Sequence, residues 1–215
     1  MAFRPASPVA RTIRIAYGTP LAEDDAVEIA ESGLGRKSLE ILFVGVWNDR
    51  KAFATFYAAA RKIEPHLGLS IRFTHAGEID AAEAIKFPEI NFLGHVSSRE
   101  SLDRLRREMD IGVLPSTREP WGHVVLENLW QGLPTIVTDH CGSADVVRRF
   151  APNLVLKDLS EESVRKVLLE FIQMPNTERV KMAREGQRLA REYSPAFLAE
   201  AVLDLASEVT CSGGT

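Results

Sequence analysis

"DIGVLPSTREPWGHVVLENLWQGLPTIVTD", residues 110–139, is the stretch on which the fold turns. Its opening, DIGVLP (110–115), is a short apolar run and predicts a strand. GHVVLENLWQ (122–131) predicts a helix, and LPTIVTD (133–139) a second strand. Gly132 stands where a helix would end, with Pro134 just beyond it. Pro120 stands at the helix entry, where a missing N–H costs nothing. Two parallel strands need a crossover between them, so strand–loop–helix–strand is the unit of a parallel sheet.

The alternation extends in both directions. Upstream, TIRIAY (12–17), LEILFVGV (39–46), LSIRFTH (69–75) and INFLG (90–94) read as strands. The near-continuous apolar character of 39–46 is that of a strand buried on both faces. Helices are predicted over 21–32, 51–64, 80–86 and 97–109. The second has a 3.6-residue rhythm in Phe53, Phe56, Tyr57, Ala60 and Ile63. The last opens with Ser97 and Glu100 in capping-box spacing. Downstream come a helix over 143–150, a strand over 153–158, and helical patterns from Ser160 onward. Seven strands alternating with helices predict an α/β, Rossmann-like, doubly wound parallel sheet with C-terminal helices. Ligands of such sheets lie beyond the carboxyl ends of the strands, often at a helix N-terminus.

Composition narrows the function. The 215 residues are 45% hydrophobic and 26% charged, the balance of a soluble globular chain. The net charge of −4 comes without a basic block, which argues against a nucleic-acid partner. The apolar run 41–47 is too short to span a bilayer. The N-terminal stretch has no apolar core segment and is not a secretory signal. Cys141 and Cys211 form neither a disulfide framework nor a metal spacing. A cytoplasmic setting with no metal is the expectation.

Between strand 110–115 and helix 122–131 lies the candidate site. Glu119 and Glu127 bracket the helix start, with seven residues between them. Gly122 has no side chain to keep a ligand from the backbone. The amides of His123 and Val124 would lack helical partners and face an anion. Were the whole segment helical, the two carboxylates would be separated by ~12 Å, the reach of a ribose, a diphosphate and part of a sugar. By themselves two such glutamates read equally as a first-turn acid and a solvated helix residue. Trp47, Trp130 and Cys141 read as packing groups.

The segment 114–147 resembles the donor-binding segment of retaining glycosyltransferases of the GT-B fold, the large family that includes bacterial sugar and mannosyl transferases. Members read Ser-x-x-Glu-Gly-Phe-Gly, a second Glu after seven intervening residues, then Gly-x-Pro-Val-Val. Ser116, Glu119, Gly122, Glu127, Gly132 and Pro134 fall in register, and the likeness runs from about 39 to 195.

The resemblance implies a nucleotide-sugar donor, UDP- or GDP-linked, and no separate cofactor. Lys51, with Arg50 as the alternative, would meet the diphosphate. Gly122, His123 and Val124 would present backbone N–H groups to the sugar or diphosphate. Glu127 would bind the ribose hydroxyls, and Glu119 would face the transferred sugar as the catalytic carboxylate. His95 and Val96 would lie near the base. The partners implied are the nucleotide-sugar and a sugar or lipid-linked acceptor.

Several positions depart from the family pattern. Gly45-Val46 replaces Gly-Arg, Pro120 replaces a frequent glycine, and Asp145 a glutamate. Cys141-Gly142 replaces Gly-Gly, and His75 stands at the first glycine of a Gly-x-Gly turn. Residues 1–38 resemble an interdomain strand and linker, 39–195 the nucleotide-sugar-binding domain, and 196–215 a C-terminal helix and tail. The acceptor domain that precedes this one in the family, with its catalytic histidine, has no counterpart in the sequence. An acceptor-domain partner chain, or a non-catalytic binding subunit, is therefore the alternative expectation. A peripheral position at the inner face of a membrane would come through that missing domain or partner.

Overall fold

The computed structural model describes residues 38–194 together with 199, 200, 202 and 203. The predicted strand at 12–17 and helix at 21–32 lie outside them. Six strands are described: β1 (Ser38–Val44), β2 (Ser70–Ala76), β3 (Ile90–Phe92), β4 (Ile111–Leu114), β5 (Thr135–Thr138) and β6 (Val155–Leu156). The helices are α1 (Phe53–Ile63), α2 (Ala81–Ala84), α3 (Arg99–Glu108), α4 (His123–Trp130), α5 (Ala144–Arg148), α6 (Glu161–Gln173) and α7 (Asn176–Arg191).

The strands form one sheet in the order β3-β2-β1-β4-β5-β6, and every pairing is parallel. The chain therefore winds outward from β1 to one edge, returns to β4 beside β1, and winds outward to the other edge. At such a reversal the connections on either side leave for opposite faces of the sheet, and this is where doubly wound sheets hold their ligands.

Burial follows the sequence pattern. Ile41, Leu42 and Phe43 of β1 are fully buried, and so is every residue of β4 and β5. Phe43 stacks on Phe53 of α1 with ring centroids 4.6 Å apart. Helix α1 buries Phe53, Phe56, Ala59, Ala60 and Ile63 and packs beside α6. Helix α7 packs on α4, and Gln187 donates to the carbonyl of Trp130 at 3.1 Å.

Two helix-end expectations meet different fates. Gly132, at φ +74°, ends α4 in the left-handed conformation that a glycine adopts without strain. The cap of α3 is corrected: Ser98, not Ser97, accepts the N–H of Ser101 at 3.2 Å. The helix begins at Arg99, so Ser97 is one residue too early to reach a free amide. Among the described residues no helix is long and apolar enough to cross a membrane.

Candidate functional site

The loops after β1 and β4 leave from neighbouring strands and are joined to each other. After β1 the chain makes a 3-10 turn over Asp49–Lys51, closed by Asn48 Oδ1, which accepts the Lys51 N–H at 3.0 Å. Ala52 then takes a left-handed conformation, φ 49°. The carbonyl of Arg50 accepts the Thr117 N–H at 2.9 Å and its hydroxyl at 3.2 Å. This joint brings Lys51 to Glu119: Nζ lies 2.5 Å from Oε2, with the two side chains 15% and 13% exposed. An ion pair so shielded from water is weakly screened. Two residues expected at the diphosphate and at the sugar are thus in direct contact. The side chain of Arg50 is on an exposed residue of the same turn.

Glu119 is not helical, and the ~12 Å spacing expected from a continuous helix is corrected accordingly. Its N–H donates to the carbonyl of His140 at 3.1 Å, and its carbonyl accepts from Gly142 at 2.9 Å. This is a one-residue parallel bridge to Cys141. The Trp121 carbonyl accepts the Ser143 N–H at 2.8 Å. The loops after β4 and β5 are so close that a Cβ on Gly142 would lie 2.1 Å from the Pro120 oxygen. Extended backbone pairing sets the direction of Glu119; a helix would have turned it away.

Gly122 caps α4 at φ +84°. A Cβ there would meet Leu114 at 2.7 Å and the Cys141 sulfur at 2.9 Å. Its missing side chain makes room for the protein's own core. Pro120 lies two residues before the cap, so it is not the first helical residue either. No side chain caps α4, and its first turn holds His123 and Val124, both half-buried.

Glu127 lies one turn into α4, its side chain 31% exposed. Arg106 of α3 donates through Nη2 to Glu127 Oε2. Its Nη1 donates to Asp103 Oδ1 at 2.6 Å and its Nε to Asn128 Oδ1 at 3.0 Å. Arg106 is 3% exposed and is the one buried residue of α3. Sequence reasoning missed it. Its one local signal was Asp103 three residues ahead, which looks like any helical surface pair. His95 is exposed and Val96 half-buried on the loop after β3, the edge strand. Among the described residues no hydrogen bond or ion pair joins His95 to the Lys51–Glu119 pair or to Glu127.

His75 is fully buried at the position where the family pattern has a glycine. Its Nε2 lies 2.7 Å from the Gly45 carbonyl and therefore carries the proton. The ring stacks on Phe43 at 5.2 Å, with Trp47 and Phe92 edge-on. Burial lowers its pKa, because the imidazolium would lose its hydration. Burial likewise raises the Cys141 thiol, which lies 3.0 Å from Ser143 Oγ. Cys141 is a small core group, as expected. Trp47 packs among Phe53, Phe87 and Phe92, and Trp130 is buried under α7.

Comparison with known proteins follows the same outline. No curated protein matches the chain. WaaG, a glycosyltransferase involved in lipopolysaccharide biosynthesis, superposes with a TM-score of 0.61 at 20% identity, covering 72% of this chain and 43% of that one. Anabaena HepE, crystallised with UDP and glucose, gives 0.64 at 14% identity, covering 80% and 48%. The C-terminal domain of LpcC from Francisella tularensis, a glycosyl transferase group 1 family protein, gives 0.61 at 19%, covering 73% and 87%. The chain thus spans less than half of the two whole enzymes and most of the isolated C-terminal domain. At these identities the likeness shows the fold, one Rossmann-like half of the GT-B architecture. Residues 24–189 match the family model of glycosyl transferases group 1, and over that span, most of its length, the chain belongs to this family.

Proposed function

We propose that residues 39–195 bind the nucleotide-sugar donor of a retaining glycosyltransferase, with 1–38 as interdomain strand and linker and 196–215 as a terminal helix and tail. The observation that carries this reading is the Lys51–Glu119 contact at the mouth of the sheet reversal, beside the uncapped start of α4. Without ligand, Glu119 neutralises Lys51. A diphosphate carries more charge and more acceptor oxygens than one carboxylate, so it displaces Glu119 and takes the lysine. Glu119 is then released toward the transferred sugar. The α4 dipole and the amides of Gly122, His123 and Val124 add positive field on the other side of the diphosphate.

Glu127 accepts from the ribose hydroxyls, Arg50 supplements Lys51, and His95 and Val96 border the base. In the reaction, the bond between the anomeric carbon and the diphosphate oxygen breaks and its electron pair leaves with the diphosphate, while the acceptor hydroxyl oxygen bonds to the anomeric carbon and its proton passes to the departing diphosphate. Lys51 and the helix start stabilise that charge as it develops. The reading assigns no metal or cofactor. The acceptor, a sugar or lipid-linked hydroxyl, is supplied against an acceptor-binding half, in a longer chain or a partner, at the inner face of a membrane.

Calorimetric titration with UDP- and GDP-sugars tests the reading, with UDP first because HepE holds it. Saturable binding is expected, weakened roughly tenfold or more in Lys51→Met, which removes a charged hydrogen bond. A folded protein that takes up no nucleotide at millimolar donor overturns it.

A further inference from the structure

Arg106 is a charge placed where charges are costly. It is 3% exposed, on a helix with no other buried residue. Burying a guanidinium demands that its donors be satisfied. Three directions are occupied: Asp103 at 2.6 Å, Asn128 at 3.0 Å, and Glu127. Asn128 in turn donates to Thr135 Oγ1 at 3.2 Å, and its backbone carbonyl accepts the Leu133 N–H at 2.9 Å. The arginine is therefore held by the core and does not follow Glu127; Glu127 follows it.

The geometry is asymmetric at Glu127. Oε2 is taken by Arg106 from the protein side. Oε1 makes no hydrogen bond among the described residues, and the side chain is 31% exposed. A lone glutamate on a helix surface samples many rotamers, and ordering it costs a ligand part of its binding energy. We propose that Arg106 is a positioning residue, which fixes one oxygen of Glu127 so that the other is pre-aimed at a ligand diol. The inference rests on the donor-binding reading above, in which that diol is the ribose. A pair serving only to join α3 to α4 would affect stability but not discriminate between ligands.

The test is a ratio. Affinities of UDP and GDP are measured by calorimetry beside those of their dideoxyribose counterparts, and inorganic pyrophosphate is the control. Wild type is expected to prefer the ribose forms. Glu127→Gln and Arg106→Gln should each cut that preference roughly tenfold, and the double variant should cut it no further, since both act on one contact. Pyrophosphate affinity should change less than about twofold, because neither residue meets phosphate. Arg106→Lys, which keeps the charge but cannot fork to three acceptors, should stay folded and still lose several-fold of the preference. A folded Arg106→Gln or Arg106→Lys with the full ribose preference overturns the proposal while leaving the donor site standing. Wild type that binds no nucleotide, or Glu127→Gln with undiminished preference, overturns the donor reading itself and the role of Arg106 with it.

Discussion

At the residue scale the chain's departures from its family pattern have physical substitutes. His75 stands where a glycine is usual, and its ring fills the space while bonding the Gly45 carbonyl. Its lowered pKa makes it an acid-sensitive group. The unfolded chain binds the proton near the ordinary value of 6.5, and the folded state resists it to lower pH. The neutral ring therefore contributes its full stability above that value, and the contribution is lost as pH falls below it. Urea unfolding between neutral pH and pH ~5 should show stability falling with acid, and falling less steeply in His75→Phe. Equal slopes would mean that another group governs acid sensitivity.

The Lys51–Glu119 pair gives a second residue-scale prediction. Lys51→Met should weaken donor binding and also cost roughly 1–3 kcal/mol of stability, since the shielded Glu119 carboxylate is left without its counter-charge. Paired titration and denaturation curves separate the two effects.

At the scale of elements the site is a product of backbone pairing between loops. Glu119 is held against Lys51 by backbone pairing of residues 119–121 with 140–143. Gly142→Ala would drive a methyl against the Pro120 carbonyl, which is backbone and cannot rotate away. Such overpacking should cost roughly 1–3 kcal/mol, and it should also displace Glu119 and weaken donor binding. Loss of stability with undisturbed binding would show that the loop pairing does not aim Glu119. The α3 cap makes a cleaner pair of variants. Ser98→Ala should destabilise by about 1 kcal/mol and Ser97→Ala by close to nothing, as read from denaturation midpoints.

At the scale of the whole molecule, the sheet reversal between β1 and β4 is what gathers residues from distant parts of the chain. Lys51 comes from the first half of the sheet, and Glu119 and Glu127 from the second. A ligand spanning them ties the halves together and binds only the folded state. At about one hundred times its Kd, UDP should raise the unfolding free energy by about 2.7 kcal/mol. Unbound controls such as free ribose should leave the transition where it is. Thermal or chemical denaturation with and without nucleotide checks this directly, and a transition insensitive to UDP would count against a site built across the reversal.

The period of apolar residues determined by itself that 39–46, 110–115 and 133–139 are strands and that 122–131 is a helix, because burial on a parallel sheet leaves a local signature. The order of Ser116, Glu119, Gly122, Glu127, Gly132 and Pro134 likewise placed the chain in its family. Only the tertiary structure decided what those residues touch. Lys51 and Glu119 are 68 positions apart, and Arg106 and Glu127 are 21 apart; no spacing rule reaches across a crossover. What surrounds Gly122 was decided in the same way, since its neighbours Leu114 and Cys141 come from the ends of two different strands. Local pattern records which face of an element is buried, whereas ion pairing and close approach depend on which elements the fold sets side by side.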